Sequence, residues 1–285
     1  MSDDLLSPDP MSLELSETVI GLYGSIISHL LNLRSSPTWT RSTRLTKLVC
    51  YGTVLINTAY TALLCHDIWY YGTLPDRAFL SVASGTLPQA IEPIVLSAIA
   101  LVVQITLGVR SSRIIKHATT RYVYLTGIGC LAIFTFLAGI AATATSVRWH
   151  NFISDAWVPG ITLRNSMMCW MWGACATDLC ITIVYLIHLR RNLRGKTELS
   201  DSVVLVIGRV VIRSASYTTI FAALTAIMAQ RFGDSATFFD VPYAFSGPLG
   251  ALYTLSLFTT LSIGDVVERE LASADRASPP AGRKA

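Results

Sequence analysis

Seven apolar stretches, each long enough to cross a lipid bilayer as a helix, constrain the fold of this chain more than any other feature of its sequence. A helix that spans a bilayer needs about 20 consecutive, mainly apolar residues. The stretches, separated by segments rich in charged residues, glycine or proline, lie at residues 13-33, 47-70, 88-109, 121-146, 166-189, 203-229 and 241-264. The pattern predicts an all-α, polytopic membrane protein with a bundle of seven transmembrane helices.

The composition favours a membrane protein over a soluble one. Of the 285 residues, 52% are apolar and 14% are charged, whereas soluble proteins carry about 25% charged residues. The net charge of +4 does not indicate nucleic-acid binding, because basic residues that flank apolar stretches reflect membrane topology. We therefore expect the lipid bilayer, and not a nucleic acid, to be the main partner of the chain.

The distribution of basic residues predicts the orientation of the helices. With the N-terminus outside, 18 of the 22 Lys and Arg residues fall on the inner side, as expected when positive charge is retained in the cytosol. Residues 1-12 then form a short outer tail, and residues 13-264 form the transmembrane domain. Residues 265-285, whose end is rich in proline and small residues, are predicted to form a cytosolic, partly disordered tail.

Four residues near the predicted outer ends of the helices are candidates for binding a ligand. His66 and Asp67 lie near the end of the second stretch, Glu92 near the start of the third, and Trp157 in the loop after the fourth. Carboxylates that converge on an outer vestibule would favour a cationic ligand, which the loop with Trp157 could cover. The same residues could instead face water separately, at the membrane interface where aromatic side chains are common.

Two ionisable residues lie deep inside the predicted bundle. Asp178 is near the middle of the fifth stretch, and Arg213 is at a similar depth in the sixth. A charged side chain at the centre of a transmembrane helix costs about 2.5–3.5 kcal/mol on insertion scales, so the two residues are predicted to form an intramembrane pair. The pair could lock two helices together or take part in binding a ligand or a proton, and an absence of contact is the third alternative.

No pattern in the sequence predicts a catalytic site, a metal site or a cofactor. The five histidines show no metal-ligand spacing with one another or with the six cysteines. A retinal Schiff base needs a lysine within a span, whereas the four lysines lie at inner ends, in inner loops or in the tail. An enzyme is therefore the least supported class of protein.

Short motifs occur in a consistent order over nearly the whole chain. They are Leu22-Tyr23-Gly24, Lys47-Leu48-Val49, Tyr70-Tyr71, Gln104 with Arg110, Trp170, Ala176-Thr177-Asp178, Asp201-Ser202, Thr219 and Leu252-Tyr253. In order and spacing they resemble a fungal, mainly basidiomycete, family of seven-span membrane proteins that carry a domain of unknown function in their C-terminal half. The resemblance implies an integral membrane protein of uncharacterised activity.

Three functions are compatible with these features. A receptor-like or sensory protein would bind a small molecule at its outer end and a cytosolic partner at its basic inner loops. A small-molecule or ion transporter would use Asp178 and Arg213 along its path, and a structural membrane protein would bind no ligand. We expect the receptor-like function, because the sequence contains no internal repeat of the kind found in many transporters.

Overall fold

The computed structural model describes residues 10-73, 86-113, 115-150, 162-193, 198-232 and 241-262, and all of the regular secondary structure in these segments is helical. Seven long helices follow the seven predicted spans. They are α1 (Pro10–Arg34), α2 (Arg44–Thr73), α3 (Leu87–Ser112), α4 (Ala118–His150), α5 (Leu163–Leu193), α6 (Glu198–Phe232) and α7 (249-262). The all-helical fold and the count of seven long helices are confirmed.

The seventh predicted span differs from the observed helix. The stretch 241-264 was expected to be continuous, but a short helix, Val241–Ser246, ends before Gly247 and Pro248, and α7 begins after them. Proline has no backbone N–H and disfavours a helical conformation in the residue before it. The carbonyl of Pro248 instead accepts a hydrogen bond from the Leu252 N–H, at 3.0 Å, in the first turn of α7.

Four of the long helices are long and apolar enough to cross a membrane, counting only the segments that the structure describes. They are Arg44–Tyr70, Leu87–Ser112, Ala118–Arg148 and Leu163–His188, which belong to α2, α3, α4 and α5. A membrane crossing by α1, α6 or α7 does not follow from length and composition alone. In α1, for example, Glu17 and His29 are both exposed and lower the apolar character of the helix.

The surface of the bundle carries many large apolar side chains, whereas buried polar groups lie inside it. Apolar residues that are more than half exposed occur on α2, α4, α5 and α6, as at Leu55, Leu137, Ile183 and Ile220. A helix that is apolar on all sides either crosses a membrane or lies in the core of a large protein. The distribution therefore supports a membrane environment.

Helix α3 is the centre of the bundle, and small residues allow its neighbours to approach closely. Half of its apolar window is buried, compared with 22% for α2, and it packs against α2, α4 and α5. A Cβ atom added at Gly139 of α4 would lie 2.5 Å from the Cβ of Ser97 in α3, and one at Gly250 of α7 would lie 2.7 Å from the ring of Tyr60 in α2. Close contacts through small residues are typical of helices packed in membranes.

Candidate functional site

The first candidate site, the carboxylate cluster, consists of Tyr60, Asp67, Thr86 and Glu92 and joins α2 to the start of α3. Thr86 begins α3 with a capping box: its hydroxyl oxygen accepts from the Gln89 N–H at 3.1 Å, and the Gln89 side-chain oxygen accepts from the Thr86 N–H at 3.4 Å. The Thr86 hydroxyl also donates to Oδ1 of Asp67. The cap of α3 therefore fixes the position of a carboxylate on α2.

The two acidic residues of this cluster are buried and lie next to each other. Asp67 is 7% exposed and Glu92 is 4% exposed, and their carboxyl groups lie close to each other. Tyr60, which is also buried, lies close to both. Oδ2 of Asp67 has no hydrogen-bond partner among the described residues.

Three aromatic side chains of α2 border the carboxylate cluster. His66 is exposed, and its Nδ1 lies 3.3 Å from Oδ1 of Asp67. The His66 ring stacks parallel to the ring of Tyr70, with a centroid separation of 6.2 Å, and lies 6.5 Å from that of Trp69. Three of the four predicted ligand-binding residues are thus brought together, while Trp157 lies outside the described residues.

The sequence left open whether these carboxylates meet or face water separately, and the structure shows that they meet in the interior. Two adjacent carboxylates that are both ionised and buried repel each other. The repulsion is relieved when one of them takes up a proton or when a cation binds between them. The carboxylate cluster can therefore bind a proton or a small cation.

The second candidate site, the four-helix cluster, consists of Gln104 on α3, Asp178 on α5, Thr218 on α6 and Tyr253 on α7. All four side chains are at least nine-tenths buried. The Gln104 amide nitrogen donates to Oδ1 of Asp178 at 2.9 Å and to the backbone carbonyl of Ala174 at 3.4 Å. The hydroxyl groups of Thr218 and Tyr253 lie close to the Asp178 carboxylate.

Several atoms of the four-helix cluster lack a hydrogen bond. Oδ2 of Asp178, Oε1 of Gln104 and the Tyr253 hydroxyl are buried and form no hydrogen bond of normal geometry within the segments that the structure describes. A buried polar group without a partner is costly. The four-helix cluster is therefore an energetically costly group of buried polar side chains at the place where four helices meet.

The predicted pairing of Asp178 with Arg213 is not resolved by the structure. Arg213 belongs to α6, but its side chain lies outside the described residues. Among the α6 side chains that the structure describes, Thr218 faces Asp178. Neutral polar residues in a span are a weaker signal of a functional site than charged ones. The sequence therefore indicates Gln104 and Tyr253 only as parts of the family motifs.

An apolar layer of α3 separates the two clusters. Glu92 and Gln104 are 12 positions apart in the sequence, or about 18 Å along a helix. The side chains of Leu96, Ile99 and Val103 between them are fully or almost fully buried, and the one buried polar side chain there, Ser97, donates to the backbone carbonyl of Ile94. On α2, however, the amide of Asn57 is buried between the clusters, against Gly250, and has no hydrogen-bond partner in the described part of the chain.

Nothing outside this chain identifies either site. Within the described segments, no group of three His, Cys, Asp or Glu side chains is placed to hold a metal ion. No family model matches the chain, and no curated protein or solved structure is significantly similar to it. The function has to be inferred from the two clusters themselves.

Proposed function

We propose that the chain is a receptor-like, seven-helix integral membrane protein that recognises a small cationic ligand at the carboxylate cluster. In this proposal all seven long helices cross the membrane, with the N-terminus outside. The observation that carries the proposal is the meeting of two carboxyl groups, Asp67 and Glu92, in the interior between α2 and α3.

The chemistry of the cluster supports an ammonium or guanidinium group as the ligand. Such a group carries the charge that two adjacent carboxylates need, and its N–H groups can donate to Oδ2 of Asp67, for which the described residues provide no donor. The aromatic rings next to Asp67 on α2 can add cation–π attraction. A neutral ligand of the same shape would lack both interactions.

The apolar layer of α3 supports a receptor-like function over a transporter. A transported substrate needs polar groups along its path, whereas about three turns of α3 between Glu92 and Gln104 bury Leu96, Ile99 and Val103 together with Ser97, whose hydroxyl donates to its own helix backbone. Asn57 and Asp178 favour the second candidate function, a transporter of small molecules or ions. Their buried, unpartnered polar atoms could serve as steps across that layer.

The ligand proposal predicts that a charge-neutral replacement in the cluster weakens the binding of amines. Full-length protein in nanodiscs would be tested by thermal shift against ethanolamine, putrescine and tyramine, and against their N-acetylated, uncharged forms. At least one amine should stabilise the protein while its acetylated form does not. Glu92→Gln should weaken that binding by roughly tenfold to a hundredfold, because a hydrogen bond to a charged group contributes about 1.5–3 kcal/mol.

Glu17→Gln is the matched control, because Glu17 is exposed on α1 and the change in charge is the same. It should leave amine binding unchanged.

Without ligand, Glu92→Gln should stabilise the protein by about 1 kcal/mol, since it replaces a like-charged neighbour of Asp67 with a hydrogen-bond donor. Equal stabilisation by the amines and their acetylated forms would refute a cationic ligand.

A flux measurement separates the two candidate functions. The amine that binds is added outside proteoliposomes, and its uptake is compared between the wild type and Asn57→Leu, which removes the polar side chain between the clusters. A receptor-like protein binds the amine without uptake. Saturable uptake that Asn57→Leu abolishes would establish the transporter.

The orientation is tested separately by the accessibility of tags. An epitope placed after Met1 should be exposed outside intact cells, and one placed after Ala285 should be reached only after permeabilisation. The expectation follows from the excess of Lys and Arg on the inner side. If both tags were found on one side, the chain would cross the membrane an even number of times. In that case α1 would be the first helix to be reassigned as one that does not cross.

A further inference from the structure

A partly enclosed cavity of about 40 Å³ lies one helical turn beyond the four-helix cluster, toward the C-terminal ends of α3 and α5. The same four helices form it. Arg110 and Ser111 come from α3, Thr182 and Tyr185 from α5, and α6 and α7 close the other sides. Under the proposed topology this cavity is on the cytosolic side.

Arg110 brings a positive charge to the cavity that no acidic residue balances in the described part of the chain. Its guanidinium donates one hydrogen bond, from Nη1 to the backbone carbonyl of Thr260 at 2.8 Å. Its cationic neighbour is Arg113, and Tyr185 is close by. A guanidinium has five N–H donors, and only one hydrogen bond is formed by Arg110 within the segments that the structure describes.

The position of Arg110 along α3 corresponds to the edge of the apolar surface. Ile105 and Val109, on the preceding turns, are exposed at 41% and 39%, whereas Ser111 and Ser112 are buried and the next exposed side chain after Arg110 is the charged Arg113. In a membrane, Arg110 would lie at the level where the acyl chains end and the phosphates of the headgroups begin. Basic pockets between transmembrane helices on the cytosolic side bind anionic headgroups.

We propose that this cavity binds the phosphate of an anionic phospholipid from the inner leaflet. The Arg110 guanidinium group donates hydrogen bonds to the phosphate oxygens, and the Tyr185 hydroxyl provides a further donor from α5. Arginine matches phosphate geometry through paired hydrogen bonds. The bound headgroup would join α3 to α5 immediately below the four-helix cluster.

The test uses full-length protein reconstituted in phosphatidylcholine alone or in phosphatidylcholine mixed with phosphatidic acid. The lipid that stays bound after transfer to detergent is measured by native mass spectrometry. We expect phosphatidic acid to be retained selectively, and Arg110→Gln to weaken its retention by roughly tenfold to a hundredfold, since charge-assisted hydrogen bonds are lost. Arg121→Gln, which removes an exposed charge at the start of α4, should have no effect.

Two milder variants keep the test valid if Arg110→Gln fails to fold. Tyr185→Phe removes a single hydroxyl group. Arg110→Lys keeps the positive charge but loses the planar set of N–H donors of the guanidinium group. Each should weaken retention of phosphatidic acid severalfold, since each loses part of the hydrogen bonding to phosphate. Unchanged retention in both variants would overturn the proposal.

Two further results would also overturn it. Inorganic phosphate that displaces phosphatidic acid at equal concentration would identify a site for a soluble anion instead of a lipid. An increase in lipid retention in Asp265→Asn, which removes the first acidic residue after α7, would mean that the chain's own tail occupies the cavity. The proposal depends on the membrane orientation but not on the amine ligand, which binds at the other end of α3.

Discussion

Replacing Gly139 by leucine is expected to destabilise the protein by about 3 kcal/mol or more, at the upper end of the cost of overpacking a core. Gly139 lies where α4 crosses α3. An added Cβ would be 2.5 Å from both side-chain atoms of Ser97 and 3.3 Å from the Pro93 carbonyl oxygen. Because a serine Cβ is fixed to its backbone, the two helices would have to move apart.

The matched control is Gly127→Leu in the same helix. Gly127 is exposed, and an added Cβ would meet no atom within 4 Å. Leucine favours a helix over glycine by nearly 1 kcal/mol, so this variant should fold as well as the wild type. Thermal unfolding in detergent, followed by size-exclusion chromatography of the folded fraction, measures both variants. Equal stability of the two would contradict the close packing of α3 and α4.

The helices could be predicted from the sequence because their length depends on a local property. A long run of mainly apolar residues specifies a long helix without reference to its neighbours, even where Glu92 and Pro93 lie within it, as in α3. The exception was the seventh span, where Gly247 and Pro248 interrupt an apolar stretch. Average hydropathy conceals such a break, since two residues hardly change the mean over twenty.

The candidate sites were predictable only in part, because burial depends on the rotation of each helix about its own axis. Asp67 and Glu92 were identified by their charge, but their meeting depends on the cap at Thr86, which ties the end of α2 to the start of α3. Similarly, depth alone suggested Arg213 as the partner of Asp178. Among the α6 side chains that the structure describes, Thr218 faces Asp178, whereas the side chain of Arg213, five positions earlier, lies outside the described residues.

Asp178→Leu is the second change with a large expected effect, a loss of about 1–3 kcal/mol of stability. It removes the acceptor that the Gln104 amide nitrogen contacts at 2.9 Å, and a buried polar group left without a partner costs about 1–3 kcal/mol. Asp178→Asn is the matched control of nearly the same shape. It keeps an acceptor for Gln104 and should cost less, unless a cation pairs with the carboxylate.

A pair of double-mutant cycles in detergent determines which partner Asp178 has. If Gln104 is the principal partner, Asp178→Leu combined with Gln104→Leu should recover much of the lost stability, because removing both members of a buried hydrogen bond can be nearly neutral. The ion-pair hypothesis predicts something different. Asp178→Asn and Arg213→Gln should each cost about 3–5 kcal/mol, and their combination should recover most of that loss. If Asp178→Asn is mild and its effect adds to that of Arg213→Gln, the intramembrane ion pair is refuted, and α5 is held to α3 through neutral hydrogen-bond donors.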